Sequence, residues 1–381
     1  MPSSNHFRHQ DYVAELPDVD VEYLSVAAPL SPDCDEFRDR LAAVGEQLRR
    51  ARVAAIVLVH GSFVGSDAMG VARKLARVSP TIGQAVAEMQ KRWLDLWAGD
   101  AGNYASDYAA TLQAALGGDN VPIVRRVNWS SENHHVGRAA GAVQLLDELH
   151  QLDANGERIL ICGHSHGGNV FALVSNLLGG DSHCRDQFFE AARSYYRLPL
   201  LGRVDFPIWL EVRDQIEKST LSDRWRLDFV TLGTPVRYGW DSGGYDRLLH
   251  IVNHRPQPGL AAHLGRVPES IEDVMQGRGG DYIQMWGIAG TNFAPSGWAF
   301  RARAADRRLH RLVQDGHRRR DLLKRLRLGV RVHDEGRTLL VDYGDAAGRV
   351  AEHIAGHAVY TRRDLMCFHL EQIVRQLYSS P

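Results

Sequence analysis

The stretch ILICGHSHGGNV, Ile159 to Val170, decides how the rest of the chain is read. Ile159, Leu160, Ile161 and Cys162 continue Arg158 as an apolar run of the kind a strand shows when both its faces are buried. Gly163, Gly167 and Gly168 then permit a turn too tight for bulky side chains, and the following GGNVFALVSNLL is compatible with a helix. A lone serine, Ser165, stands at the crest of that turn. In the pattern G-x-S-x-G the glycines leave room for a strained strand-to-helix turn, which lifts the hydroxyl out of the sheet and aims the helix N-terminus at it.

Upstream, VAAIVLVHGSF reads as a continuous apolar strand ending at His60-Gly61. PIVRRVNW, LDFVTLGTP, YIQMWGIAG and RTLLVDYG read as further strands. Helical patterns lie between them over roughly Ala85 to Trp97 and Gly137 to Leu152, and an amphipathic helix over roughly Asp35 to Arg52 follows a polar lead-in. Alternating strands and helices predict an α/β fold: a doubly wound, mostly parallel sheet covered on both faces. The expected organisation is an N-terminal segment over residues 1–50 and one α/β domain over 51–381. Two insertions interrupt that domain. Residues 180–226 are rich in aromatics (QFFEAARSYYRLPLLG, FPIWLEV), too long for an ordinary connection, and read as a helical cap over the loop edge of the sheet. Residues 296–331 carry a basic run, with twelve Arg or Lys against three Asp between 301 and 331, whose interleaved leucines predict an amphipathic helix pair with a solvated face.

The 381 residues carry a formal net charge of -1, which gives no global attraction to nucleic acid or anionic membranes. No apolar h-region opens the chain and no stretch of 18 apolar residues follows, so the expectation is a cytoplasmic protein without an integral membrane segment. Cys34, Cys162, Cys184 and Cys367 are scattered without CxxC spacing and read as free thiols. His164 and His166, two apart on a tight turn, diverge and have no HExxH or CxxC partner, so neither a metal nor a cofactor is expected.

GHSHGG, VLVHGSF and TLGTP together resemble the α/β-hydrolase superfamily, in particular its bacterial lipase and esterase branch, over roughly Val53 to the C-terminus. The resemblance implies that Ser165 attacks a carbonyl carbon while two backbone N–H groups hold the oxyanion; carried over here they belong to His166 and Ser62. It implies the chain order serine, acid, histidine, with the histidine in the loop after the last strand. Of His353, His357 and His369, His357 in AGHAVYT is the expected base, because the final helix is predicted from Thr361 and would contain His369. The usual acid position, after the strand before the last, offers Asn292 in GIAGTNF, which can orient a histidine but not offset its charge. Asp241, in RYGWDSGGY, is the favoured carboxylate, with Asp342 and Asp345 as the remaining candidates and a turn-capping role as the alternative for Asp241. His60 reads as a structural histidine beneath the oxyanion loop, and Trp129 or His134 as pocket-lining or helix-capping residues.

The expected function is therefore hydrolysis of carboxylic esters of small molecules through an acyl-enzyme on Ser165, with no cofactor. The asparagine at 292 keeps a second class open, a catalytically silent hydrolase fold that binds a ligand or partner. A third, an electrostatic anchor through 301–331, would use the basic run.

Overall fold

The computed structural model describes residues 7–8, 20–26, 28–61, 104–118, 120–152, 154, 156–198, 204–218, 224–265, 268–288, 295, 299–314, 331–353 and 355–379. In chain order these form β1 (Asp20–Ser25), α1 (Asp35–Arg50), β2 (Val53–Val59), α2 (Ser106–Ala115), β3 (Ile123–Val127), α3 (His135–His150), β4 (Arg158–His164), α4 (His166–Gly179), α5 (Ser182–Tyr196), β5 (Arg197–Leu198), β6 (Val204–Asp205), α6 (Pro207–Glu217), β7 (Arg226–Leu232), β8 (Arg247–Asn253), α7 (Ile271–Met275), α8 (Tyr282–Ile288), α9 (Phe300–Gln314), β9 (Arg337–Asp342), α10 (Val350–His353) and α11 (Met366–Tyr378).

β1, β2, β3, β4, β7, β8 and β9 make one seven-stranded sheet in the order β1-β9-β8-β7-β4-β2-β3, parallel at every pairing, while β5 and β6 form a separate antiparallel pair. Side chains alternate across the central strands. Val57, Ile161 and Phe229 enter one core with α3, α4, α5, α6 and α9, whereas Ile56, Leu160, Val230 and Ile251 enter the other with α1, α2 and α11. Burial on both faces explains why β2 and β4 read as apolar runs. The α/β class and the two covered faces are as the sequence predicts. The order over all seven strands, however, is not that of the α/β-hydrolase fold: β1, first in sequence, closes the β9 edge in parallel, Asp20 opposite Arg337 through Ser25 opposite Asp342. The N-terminal segment thus belongs to the sheet, and Phe7 is itself fully buried in the core beside Phe188.

One expected strand is a helix, and the aromatic insertion packs into the core. YIQMWGIAG does not begin as a strand: its first residues are α8, and the strand before the last is RLLHIVN, β8. The aromatic insertion supplies α5, the β5–β6 pair and α6, and Phe188, Phe189, Tyr196 and Trp209 are core residues. They are buried together, with Tyr196 stacked on Trp209 at 4.8 Å and Phe188 on Trp209 at 6.1 Å, in the same core as Phe171 of α4. They are a layer of that core. Of the basic segment, α9 buries Ala305, Leu309 and Val313 against the same core, and residues 315–330 lie outside the described residues. Ser62, Asn292 and the helical pattern from Ala85 to Trp97 also lie outside them. Among the described residues no helix is long and apolar enough to cross a membrane.

β4 lies beside β2, and β3 lies on the far side of β2, so the sheet order reverses direction at the β2–β4 pair. Crevices for ligands open at the carboxyl ends of strands at such switch points. His60-Gly61 and Ser165 are the residues that leave β2 and β4 there.

Candidate active site

Ser165 has φ 52° and ψ -130°, a left-handed conformation that a side chain other than glycine's rarely adopts. Its surroundings hold it there. The Ser165 N–H donates to the Leu232 carbonyl (2.9 Å), and Thr234 Oγ1 donates to the Ser165 carbonyl (2.7 Å). The glycines on either side are required by close approach. A Cβ on Gly163 would lie 2.4 Å from the Phe171 ring, and one on Gly167 would lie 2.9 Å from the carbonyl oxygens of Val59 and His60. Gly61 runs past the turn on its other side, where a Cβ would meet that of Ser165 at 2.6 Å. His166 opens α4, so its backbone N–H is among those a helix leaves without an intrahelical acceptor, as the oxyanion role requires. The second expected donor, Ser62, follows Gly61 directly.

His60 leaves β2 beneath this turn. Its Nδ1 is 2.9 Å from the Gly61 carbonyl and 3.1 Å from Ser131 Oγ, and its ring stacks on Trp129, whose Nε1 donates to the His60 carbonyl at 2.8 Å. Burial pushes its pKa down to about 4, which keeps the imidazole neutral. These bonds give it the supporting role expected. His134 caps α3, its Nδ1 accepting from Gly137 N–H at 2.8 Å.

His357, the expected base, and a buried carboxylate converge from the other side. His357 follows β9 and the short α10, and the ring of His164, the residue before Ser165, lies 4.5 Å from its ring, with His164 Nε2 donating to the His357 carbonyl at 3.1 Å. His357 Nδ1 is 2.7 Å from Asp281 Oδ2, and that carboxylate is fully buried. Tyr360 O–H donates to the same oxygen at 2.9 Å, and the Gln284 N–H donates to Oδ1 at 2.8 Å. Asp281 is thus the residue that caps α8, where the helix dipole favours a negative charge. The end of β8 is the hub of this half. The Asn253 N–H donates to Tyr360 O–H (2.7 Å), its carbonyl accepts from the Asp281 N–H (2.9 Å), and its Nδ2 donates to the Gly356 carbonyl (2.7 Å). Arg331, fully buried, fixes the same backbone by donating NH1 to the carbonyls of Asn253 (3.0 Å) and Asp281 (2.9 Å).

Ser165, His166 and His357 are therefore brought to one end of the sheet, and Asp241 is not. Asp241 caps the single 3-10 turn Ser242–Gly244, with Oδ1 accepting from Gly243 N–H at 2.9 Å, and packs against Gly179, the last residue of α4. It lies at the opposite end of a helix about 20 Å long from Ser165. The turn-capping alternative is the one realised. Asp342 accepts from Gly344 N–H (2.8 Å) and Arg255 Nε (3.2 Å), and Asp345 is exposed. His369 sits inside α11, its Nε2 2.7 Å from Tyr343 O–H, and His353 Nδ1 accepts from Gly356 N–H at 3.1 Å.

Asp281 is the functional candidate that the sequence reading missed, although a signal was present. Asp281-x-x-Gln284 immediately before an apolar run is the pattern of a helix cap. Comparison with protein-family models, with curated proteins and with solved structures finds no match to this chain.

Proposed function

We propose that the chain is a serine hydrolase of carboxylic esters, a member of the α/β-hydrolase superfamily in which Ser165 is the nucleophile, His357 the base and Asp281 the acid. The observation that carries this reading is the pairing of a buried carboxylate, 2.7 Å from Nδ1 of His357, with a serine held in a left-handed turn at the carboxyl end of β4. The order Ser165, Asp281, His357 is the one the superfamily uses, and Asp281 follows the strand before the last. Asp281 offers the carboxylate that Asn292 cannot, which favours the esterase reading over a silent fold.

With Nδ1 donating to Asp281, the lone pair of Nε2 is left to accept the proton of the Ser165 hydroxyl. Serine Oγ forms a bond to the ester carbonyl carbon, and the carbonyl π electrons move onto oxygen, where the N–H of His166 and that of Ser62 offset the charge. Collapse of the tetrahedral species breaks the bond to the alkoxy group, which leaves as the alcohol with the proton from His357. Water, deprotonated by the same nitrogen, then attacks the acyl-enzyme and releases the acid. Asp281 fixes the tautomer and offsets the imidazolium. No cofactor enters this scheme.

The test is reaction with a fluorophosphonate probe, read by mass spectrometry, together with turnover of 4-nitrophenyl esters. Labelling at Ser165 and loss of both labelling and turnover in Ser165→Ala are expected; a wild-type protein that neither labels nor hydrolyses would remove the ester reading.

A further inference from the structure

α9 carries charge that neither the ester chemistry nor the packing of the helix uses. Its buried stripe, Ala305, Leu309 and Val313, enters the core that also holds α3 and α5. Arg303, Arg307 and Arg311 repeat the same four-residue step two positions earlier. At about 100° per residue they form a second stripe on nearly the opposite face, spanning about 12 Å of helix. Arg308 stands beside them, and all four arginines are exposed. Among the described residues none of the four forms an ion pair or a side-chain hydrogen bond. The remaining charged groups are committed to the fold. Arg301 donates Nε to the Ser194 carbonyl at 3.0 Å and Nη2 to the Arg197 carbonyl. Asp306, the one acid of the helix, is buried and accepts from the Val136 N–H at 3.2 Å. The solvent side of α9 is thus cationic, with no acid on it.

This arrangement works against the helix. Like charges four residues apart repel, and arginines in the first turn oppose the positive end of the helix dipole. Folding alone gives no reason for the stripe, whereas an anionic partner does. Phe300 indicates which kind. It stands at the N-terminal end of the same helix and is 73% exposed, the most exposed large apolar side chain among the described residues. α9 is also sunk into the protein along its apolar side, with Ala302 and Leu312 packed against the core as well. It therefore offers a flat strip, not a rod free to enter a nucleic-acid major groove about 12 Å wide. A flat strip of unpaired arginines ending in an exposed aromatic ring suits the plane of a bilayer, where guanidinium groups meet headgroup phosphates and the ring reaches the acyl boundary.

We propose that the exposed face of α9 docks the protein on anionic lipid bilayers, held by Arg303, Arg307, Arg308 and Arg311 and seated by Phe300. The net charge of -1 does not oppose this, because clustered charge acts locally, within a Debye length of about 8–10 Å. The docking face is independent of the reading of Ser165.

Flotation of the full chain with lipid vesicles tests it. Vesicles of phosphatidylcholine containing about one-third phosphatidylglycerol should carry the protein up the gradient at about 50 mM salt and release it at about 500 mM, while vesicles of phosphatidylcholine alone should not carry it. Arg303→Gln, Arg307→Gln and Arg311→Gln should each weaken binding about fivefold, and the triple glutamine variant about a hundredfold. The triple lysine variant should keep most of the binding, because the headgroup field acts on charge. Phe300→Ala should weaken binding with little change in its salt dependence, and Arg50→Gln, on the exposed side of α1, should leave it unchanged. Since the stripe repels itself, the urea midpoint of the triple glutamine variant should be no lower than that of the wild type. A clear fall in that midpoint would make the arginines structural and overturn the proposal. So would failure to bind the anionic vesicles at about 50 mM salt, or binding that survives the triple glutamine change. Tighter binding to a DNA or RNA duplex than to the vesicles at the same salt would transfer the face to nucleic acid and overturn the bilayer assignment.

Discussion

The two halves of the candidate site are built by different means. The nucleophile half is a matter of a few consecutive residues: Gly163 fits against the Phe171 ring, Gly167 against the backbone of β2, and Ser165 is held in its left-handed conformation between them. The acid–base half joins Asp281 to His357, 76 positions apart, through Asn253 at the end of β8, with Tyr360 and Arg331 tying the same point. Local sterics dictate the first; the second exists only when three strand ends and a helix cap have met. The first half should therefore fail by clash and strain, the second by loss of orientation with the fold intact.

The largest expected effect falls on the convergent half. Asp281→Asn should lower kcat by about 10⁴, the loss seen when the wrong tautomer is installed in a serine-protease triad, a far larger effect than the loss of about 1–3 kcal/mol of stability from leaving one buried donor unpaired. Asp241→Asn, at the far end of α4, should leave kcat within about twofold, given that surface-type substitutions away from special features change little. The reverse ranking would return the acid to Asp241 and dissolve the distinction.

A pH titration of stability sharpens the comparison, because both halves bury neutral histidines. His60 lies under the nucleophile turn, with its pKa lowered by burial to about 4; on the acid–base side His254 is lowered to about 4 and His369 to about 3, both chiefly by burial. Each folded value lies below the unfolded value of about 6.5, so as pH falls the unfolded chain takes up the proton first. Stability from these groups is complete above about pH 6.5 and declines from there toward the folded values, by on the order of 1 kcal/mol per histidine for each pH unit. Urea midpoints at pH 7.5 and 5.5 should thus differ clearly, and a flat profile would show that these rings are not held neutral.

Gly163→Val probes the local half. It drives a branched side chain into the Phe171 ring, and overpacking of this kind costs about 1–3 kcal/mol or more, so the urea midpoint should fall and kcat should fall with it as the turn shifts. Retention of both would mean that the turn is not sterically fixed. The smallest effect is expected for Tyr360→Phe. It removes one hydrogen bond to Asp281 and leaves the Asn253 N–H without its acceptor, a change of about 1–3 kcal/mol, and kcat should drop by no more than about tenfold because the His357–Asp281 bond remains. A loss as deep as that of Asp281→Asn would make the tyrosine an equal partner.

What was legible in the sequence follows the same division. The β4–Ser165–α4 unit could be read because every constraint lies within a dozen residues, and the position of His357 through the superfamily resemblance, which points to a histidine in the loop after the last strand. Asp281 escapes a sequence reading that makes YIQMWGIAG a strand, since an apolar run of that length fits a buried helix start equally well. The true strand, β8, was hidden by His250. That ring is fully buried, with Nδ1 2.7 Å from Thr231 Oγ1 and its plane stacked on His333 at 3.7 Å, so a polar residue interrupts the apolar run from inside the core. β1 was hidden for the opposite reason: Asp20, Glu22 and Ser25 give it the composition of a loop, as suits a sheet edge. The insertion aromatics read as a cap over the sheet edge, because composition does not distinguish a cap from a core layer.

The separation of the two halves along the chain also orders them in time. During synthesis, residues through Thr234 suffice to make the turn that holds Ser165, whereas His357 and Tyr360 belong to a stretch more than a hundred residues later. At about 5–20 residues per second that interval lasts on the order of ten seconds. β1, meanwhile, emerges before any other strand and must wait for β9, with Asp20 and Arg337 317 positions apart. A nascent chain therefore carries Ser165 without His357, and its first strand unpaired, until the C-terminal strand arrives; the step that closes the sheet edge is also the step that brings in the His357 loop.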